Sequence, residues 1–118
     1  TEKFFHSNGS SNQWICFDFK EHKVIPTDYT IRSQPFGPGK AHPKNWVIEG
    51  SNDNVAYEII SEEKNNSCLN KKSVVHTFTM NRQQDKEYRF IRMRLTGPNW
   101  NSNHYFYITS FEIYGKLI

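Results

Sequence analysis

The 118-residue sequence lacks several features that mark well-defined protein classes. It contains no apolar run long enough to span a bilayer and no signal-peptide pattern at its start. It has two cysteines, Cys16 and Cys68, which form neither a disulfide framework nor a metal-ligand spacing. We therefore predict free thiols in a reducing, cytoplasmic compartment. Glycosylation sequons at Asn8 and Asn65 would instead indicate a secreted protein, and we interpret them as chance matches in a chain rich in Asn and Ser.

Clustered charge and clustered metal ligands are also missing from the sequence. The net charge is +3, and the basic residues are scattered apart from the Lys71-Lys72 pair, so we predict no nucleic-acid partner. The histidines do not cluster with acids or thiols, so we predict no metal site and no cofactor. Asp53 could help to hold a structural Ca²⁺, but no ring of oxygen ligands accompanies it. No Ser, Cys or Asp sits in a glycine-flanked elbow, so we predict no catalytic residues and no enzyme.

Aromatic residues and period-two alternation dominate what is present. The chain has 9 Phe, 6 Tyr and 3 Trp, and no window keeps apolar residues at helical spacing. In the most regular segment, Ile91, Met93 and Leu95 share one face and Arg92 and Arg94 the other, which is typical of a half-buried strand. About eight such short strands are predicted, over residues 4–5, 13–19, 24–33, 45–50, 57–60, 74–80, 88–97 and 109–115; for residues 4–5 the alternative is a packed arm. Residues 1–118 are therefore predicted to form one all-β domain, a sandwich or a barrel.

Two of the predicted strands carry specific expectations. In the second, Ile15, Phe17 and Phe19 are expected to face the core. In the third, Tyr29 and Ile31 are expected to point inward. Pro26 interrupts the third strand, and proline is confined to edge strands or bulges, so either an edge or a bulge is expected there.

Several segments together resemble a known family. In sequence and in order, these segments are similar to the discoidin-like or coagulation factor 5/8 type C domains of the galactose-binding-like group. They are Trp14–Phe19, Val24–Ile25 followed by Tyr29–Ile31, Trp46–Asp53, Tyr88–Arg94 and Phe111–Gly115. The sequences of these segments are most similar to the intracellular, protist-type branch of the family. The resemblance implies a jelly-roll β-sandwich that is a noncatalytic binding module of a larger protein with neighbouring domains.

The resemblance also implies the partner classes. In the intracellular branch such a module commonly binds protein partners. It acts as an adaptor, recognises substrates or forms part of a large assembly such as a cytoskeletal structure. A sugar is the alternative ligand, and other branches bind lipid headgroups. Membrane-inserting members use apolar spikes on their loops, whereas the loops here are mostly polar, so we predict no membrane insertion.

Three groups of residues are candidates for ligand contact. In the loop 96–105 they are Trp100, Asn101, Asn103, His104 and Tyr105, because aromatic rings and amides can stack on a sugar or anchor a protein. Alternatively, Trp100 plugs the end of the sandwich. In the loop 34–44, Phe36 and His42 could join Trp100 if both loops lie at the same end; the alternative is a stiff connection in which Phe36 covers the core edge.

Arginines of the strand predicted over residues 88–97 form the third group. Arg92 and Arg94 share a strand face and could grip a phosphate or carboxylate. The alternative is cross-strand pairing of the segment's arginines with Asp18, Glu49 or Glu112. The two readings differ in whether the guanidinium groups are available to a ligand.

Overall fold

The computed structural model describes residues 2–6, 12–82 and 85–118; for residues 2–6 it describes the backbone. Within those residues the chain is all-β, and none of them forms a helix that could cross a membrane. The described part contains eight strands: β1 (Glu2–His6), β2 (Trp14–Asp18), β3 (Val24–Arg32), β4 (Trp46–Ser51), β5 (Glu58–Glu63), β6 (Val75–Thr79), β7 (Phe90–Leu95) and β8 (Ser110–Leu117). The predicted strands are confirmed, with ends shifted by a few residues.

The strands form two antiparallel sheets. The larger has the order β1-β2-β7-β4-β5 and the smaller the order β6-β3-β8. Sequence neighbours are often separated in the sheets, as in a jelly roll. The predicted jelly-roll sandwich is therefore confirmed.

A few large rings fill the space between the sheets. Trp46 and Tyr29 are fully buried, and the Trp46 indole N–H donates a hydrogen bond to the Tyr29 hydroxyl at 3.0 Å. Phe78 stacks on Tyr29 with ring centroids 4.9 Å apart. Because this indole and this hydroxyl bond each other, both rings can be buried without leaving a polar group unpaired. The inward positions predicted for Tyr29 and Ile31 are confirmed.

The strand β3 is irregular at Pro26, where an edge or a bulge was predicted, but it is not an edge strand. β3 lies between β6 and β8, and its register with β8 shifts between Pro26 and Asp28. The bulge was the correct alternative and the edge was wrong. Gly115 pairs with Pro26 there, and a Cβ at Gly115 would lie 2.1 Å from the Ile25 carbonyl oxygen. The bulge therefore requires glycine at position 115.

Candidate functional site

Three long connections meet at one end of the sandwich, and we call them together the loop platform: residues 33–45, 64–74 and 96–109. Hydrogen bonds join each loop to another. The Trp100 amide donates to the His42 carbonyl at 3.1 Å, and the Asn66 amide donates to the Lys44 carbonyl at 2.9 Å. The Gly39 amide donates to the Asn70 side-chain oxygen at 2.8 Å. The two loops singled out in the sequence are thus brought together, and a third loop supports them.

His42 holds the platform together from inside. Its side chain is buried, and its Nε2 lies 2.8 Å from the Phe36 carbonyl oxygen and 3.0 Å from that of Gly37. A nitrogen beside two carbonyl oxygens must carry the proton, so Nε2 is the donor. His42 therefore shapes the loop 33–45, and its ring is not presented to solvent for ligand contact.

Trp100 lies between the two alternatives considered for it. The ring is partly buried, and its indole N–H points to the Asn66 carbonyl oxygen at 3.4 Å. The ammonium of Lys44 lies 4.6 Å from the ring centroid. A cation over the ring occupies one face by cation–π attraction, so that face of Trp100 is not open for stacking on a ligand.

Asn99, which the sequence did not single out, organises the loop 96–109. It is buried, and its side-chain oxygen accepts hydrogen bonds from the amides of Asn101 and Asn103. Its side-chain nitrogen donates to Asn103 Oδ1 at 2.6 Å and to the Tyr105 carbonyl at 2.9 Å. The signal was available: an asparagine after proline, in a run of Asn, Ser and Gly, is typical of a side chain that caps its own turn. Asn103 thus helps to shape the loop, whereas Asn101 is exposed and His104 is partly exposed.

The exposed aromatic side chains are the part of the platform suited to contact a partner. Phe36 is 54% exposed, Tyr105 43% and Tyr107 42%. Tyr105 and Tyr107 stack on each other with centroids 5.5 Å apart and planes at 10°. Phe36 and Tyr107 help to line a depression of about 450 Å³ together with Gln34, Lys40, Ala41 and Asn101. Tyr107, Gln34 and Lys40 were missed in the sequence because nothing there reveals that the two loops share a surface.

The predicted anion contacts have a partner within the protein. Arg92 Nε lies 2.6 Å and Arg94 Nε 2.8 Å from Oε1 of Glu49, on the outer face of the five-stranded sheet. Glu49 is 3% exposed, and Arg89 makes a two-point ion pair with Asp18 on the same face. Cross-strand pairing, the alternative considered for these arginines, is what the structure shows.

These contacts set the pKa values of both carboxyl groups. Burial alone would raise the pKa of Glu49, but hydrogen bonds and charge from Arg94 and Arg92 outweigh burial and leave the pKa below its ordinary value. The hydrogen bond from Arg89 lowers the pKa of Asp18 against the opposing effect of burial. Both carboxylates are therefore held in the charged form that the arginines need.

Other polar groups of interest are occupied by the fold. The Asp53 carboxylate accepts the amides of Val55 and Ala56, each at 2.9 Å, and so caps its own turn. Cys16 and Cys68 are both free, and burial raises the pKa of the Cys16 thiol. Among the described residues, no three His, Cys, Asp or Glu side chains gather around a common point where a metal ion would be held.

Comparisons with known proteins identify a family to which the chain is similar over nearly its whole length. Residues 1–114 match the model of the F5/8 type C domain. The E3 ubiquitin-protein ligase Ufd4 of Drosophila melanogaster is 29% identical over 116 residues, and the E3 ubiquitin-protein ligase hecd-1 of Caenorhabditis elegans is 28% identical over 114 residues. Each match covers 96% of this chain, which spans 4% of the length of each of these curated relatives.

Among solved structures, carbohydrate-binding modules share the fold. CBM62 of Clostridium thermocellum Xyl5A superposes with a TM-score of 0.66 at 14% identity, covering 96% of this chain and 76% of that one. A point mutant of chitosan-binding module 1 from a Paenibacillus chitosanase/glucanase superposes with a TM-score of 0.65 at 16% identity, covering 96% of this chain and 75% of that one. At these identities the likeness establishes the architecture, and the ligand has to be argued from this chain's own residues.

Proposed function

Because this chain belongs to the F5/8 type C domain family, we propose that it is a noncatalytic recognition module that binds a protein partner through the loop platform. The observation behind this proposal is the set of exposed rings on two adjoining loops, Phe36, Tyr105 and Tyr107. Aromatic residues are enriched where protein interfaces gain most of their binding energy.

The relatives support a protein partner. Two ubiquitin-protein ligases carry a related segment, and a ligase must recognise a protein substrate. A binding module within a longer chain, with neighbouring domains, would supply such recognition. The free cysteines suit a reducing, cytoplasmic compartment, which we propose as the location.

A sugar is the second candidate ligand, and the depression beside Phe36 and Tyr107 favours it. Exposed aromatic rings next to the amides of Gln34 and Asn101 are the elements that sugar sites combine. The Tyr105–Tyr107 stack extends the aromatic surface beyond the depression, and this wider surface is why we rank a protein partner first.

The two candidates are separated by capturing partners from lysate of the source cell while testing the same domain on a glycan array. The test variant is Phe36→Ala/Tyr107→Ala, and the matched control is Tyr114→Ala, which removes a ring 44% exposed on β8, outside the platform. We expect the test variant to lose partners that the wild type and the control retain, with an unchanged thermal melt.

Two outcomes would contradict the proposed protein partner. Protein partners retained by the Phe36→Ala/Tyr107→Ala variant would remove the platform from the contact. A sugar-specific array signal, lost in that variant and without a protein partner, would make the domain a carbohydrate-binding module.

A further inference from the structure

The loop platform is free of acidic residues, and this divides the charge of the domain unevenly. Its three loops contain no aspartate and no glutamate, but they contain five lysines. The lysines are Lys40, Lys44, Lys64, Lys71 and Lys72. The platform thus has a formal charge of +5, and the rest of the chain has −2. The basic residues look scattered in the sequence because the loops are far apart along the chain, but the fold collects them at one end.

Three of these lysines are available to a partner. Lys64 lies 3.9 Å from Glu62 on β5, and Lys44 lies over the Trp100 ring. Lys40, Lys71 and Lys72 are exposed, and none of them makes a salt bridge within residues 12–82 and 85–118. Their positive charge is therefore not neutralised inside the described part of the domain.

The basic and aromatic groups belong to one surface. Lys40 lines the same depression as Phe36. The basic turn of the second loop is fixed to the first, because the Ser33 hydroxyl donates to the Lys71 carbonyl oxygen at 2.6 Å. The Ser73 amide donates in turn to the Gln34 carbonyl at 3.0 Å. A partner that covers Phe36 therefore comes within reach of several ammonium groups.

We propose that the partner segment recognised by the loop platform is an acidic peptide, in which Asp and Glu side chains surround an apolar anchor. This inference rests on the proposed function, since it names the chemistry of the protein bound there. Unpaired ammonium groups attract carboxylates over roughly 8 Å at physiological salt. The loops contain no arginine, so they have no planar fork for bidentate binding of either a phosphate or a carboxylate. A carboxylate-rich protein segment is favoured over a nucleic acid because the exposed Phe36 ring beside Lys40 suits an apolar side chain as anchor.

The test is fluorescence anisotropy with a short labelled peptide of glutamates around a central tryptophan, compared with the same peptide carrying glutamines. We expect the domain to bind the glutamate peptide more tightly and to lose that preference as salt is raised. The variant Lys40→Glu/Lys71→Glu/Lys72→Glu is expected to bind it about tenfold more weakly at low salt. The matched control, Lys23→Glu/Lys116→Glu, reverses two exposed lysines away from the platform and is expected to change binding about twofold or less.

The outcomes separate this inference from the proposed function. Equal binding of the two peptides, or a triple variant that binds like the control variant, would overturn the acidic-peptide inference. In that case, loss of the captured partner in the Phe36→Ala/Tyr107→Ala variant would still support a protein-binding platform. Tighter binding of single-stranded RNA or of heparin than of the glutamate peptide, in the same assay, would also overturn the inference and assign the surface to another polyanion.

Discussion

The outer face of the five-stranded sheet and the loop platform both carry many polar and charged groups, but they use them differently. On the sheet, Glu49 and Asp18 are nearly buried and their charges are matched by Arg92, Arg94 and Arg89. On the platform, asparagine side chains and backbone amides make internal hydrogen bonds, and Lys40, Lys71 and Lys72 are left facing outward. Charge on the sheet is therefore paired within the fold, whereas the charge of these three lysines is not paired within the described residues.

The strand register explains the pairing on the sheet. Glu49 of β4 lies directly opposite Arg92 of β7, and Arg94 is two residues further along the same strand and face. Neighbours at such positions are within reach of long side chains. The loops have no such register, so a short asparagine side chain that bonds the nearby backbone is the economical way to order them.

Removing the shared carboxylate should have the largest effect on stability. In Glu49→Ala, two partly buried guanidinium groups lose their acceptor, and we expect the free energy of unfolding to fall by about 3 kcal/mol. Urea denaturation measures this, with Glu112→Ala as the exposed control, expected to change stability by about 0.5 kcal/mol or less. Equal losses in the two variants would show that the paired charges do not maintain the fold.

Acid should weaken the same pairing, with a smaller effect than deletion. The pKa values of Glu49 and Asp18 are lowered from ordinary values of 4.5 and 3.8, so their contribution is complete above those values and is lost as pH falls through the folded-state pKa values. We expect the unfolding free energy to decrease as pH falls below the ordinary pKa range of these carboxyl groups, and to decrease less steeply in Glu49→Gln than in the wild type. Glu112→Gln should retain the wild-type pH dependence; if Glu49→Gln retains it too, Glu49 is not a source of the acid sensitivity.

Neutralising the platform lysines should have the smallest effect on stability. We expect Lys40→Ala/Lys71→Ala/Lys72→Ala to unfold within about 0.5 kcal/mol of the wild type, because these exposed side chains have no carboxylate partner among the described residues. The measurement is the same urea denaturation. A loss comparable to that of Glu49→Ala would mean that the lysines are structural and would remove the contrast between the two regions.

Local alternation predicted much of the fold, because strands with one face in the core must alternate. Ile91, Met93 and Leu95 are buried as expected. The edge position considered for Pro26 failed because a strand's place in its sheet depends on pairing with β6 and β8, which are distant in sequence. Pairing of the strand's arginines with Asp18 or Glu49 was one of two alternatives, and a sequence cannot decide which strands become neighbours.

Less of the candidate site than of the fold could be predicted from the sequence. The hypothesis that Phe36 and His42 join Trp100 required the two loops to lie at the same end, and they do meet, but the depression is lined by Phe36 and Asn101 and not by His42 or Trp100. His42 is buried against two backbone carbonyl groups of its own loop. The positions of backbone carbonyl groups cannot be read from the identities of the side chains, so this burial could not be predicted. The charge asymmetry follows from the meeting of three loops and so needed the fold to be known.

The hydrogen bonds that join the three loops to one another have a consequence for the kinetics of binding. A surface fixed by contacts such as Trp100 to His42 and Gly39 to Asn70 has already lost much of its conformational entropy when the chain folds. A partner then meets a prepared surface, and association should be governed by diffusion and electrostatic attraction with little waiting for a loop to close. Differences in affinity among platform variants that keep the charge would accordingly lie mainly in the lifetime of the complex.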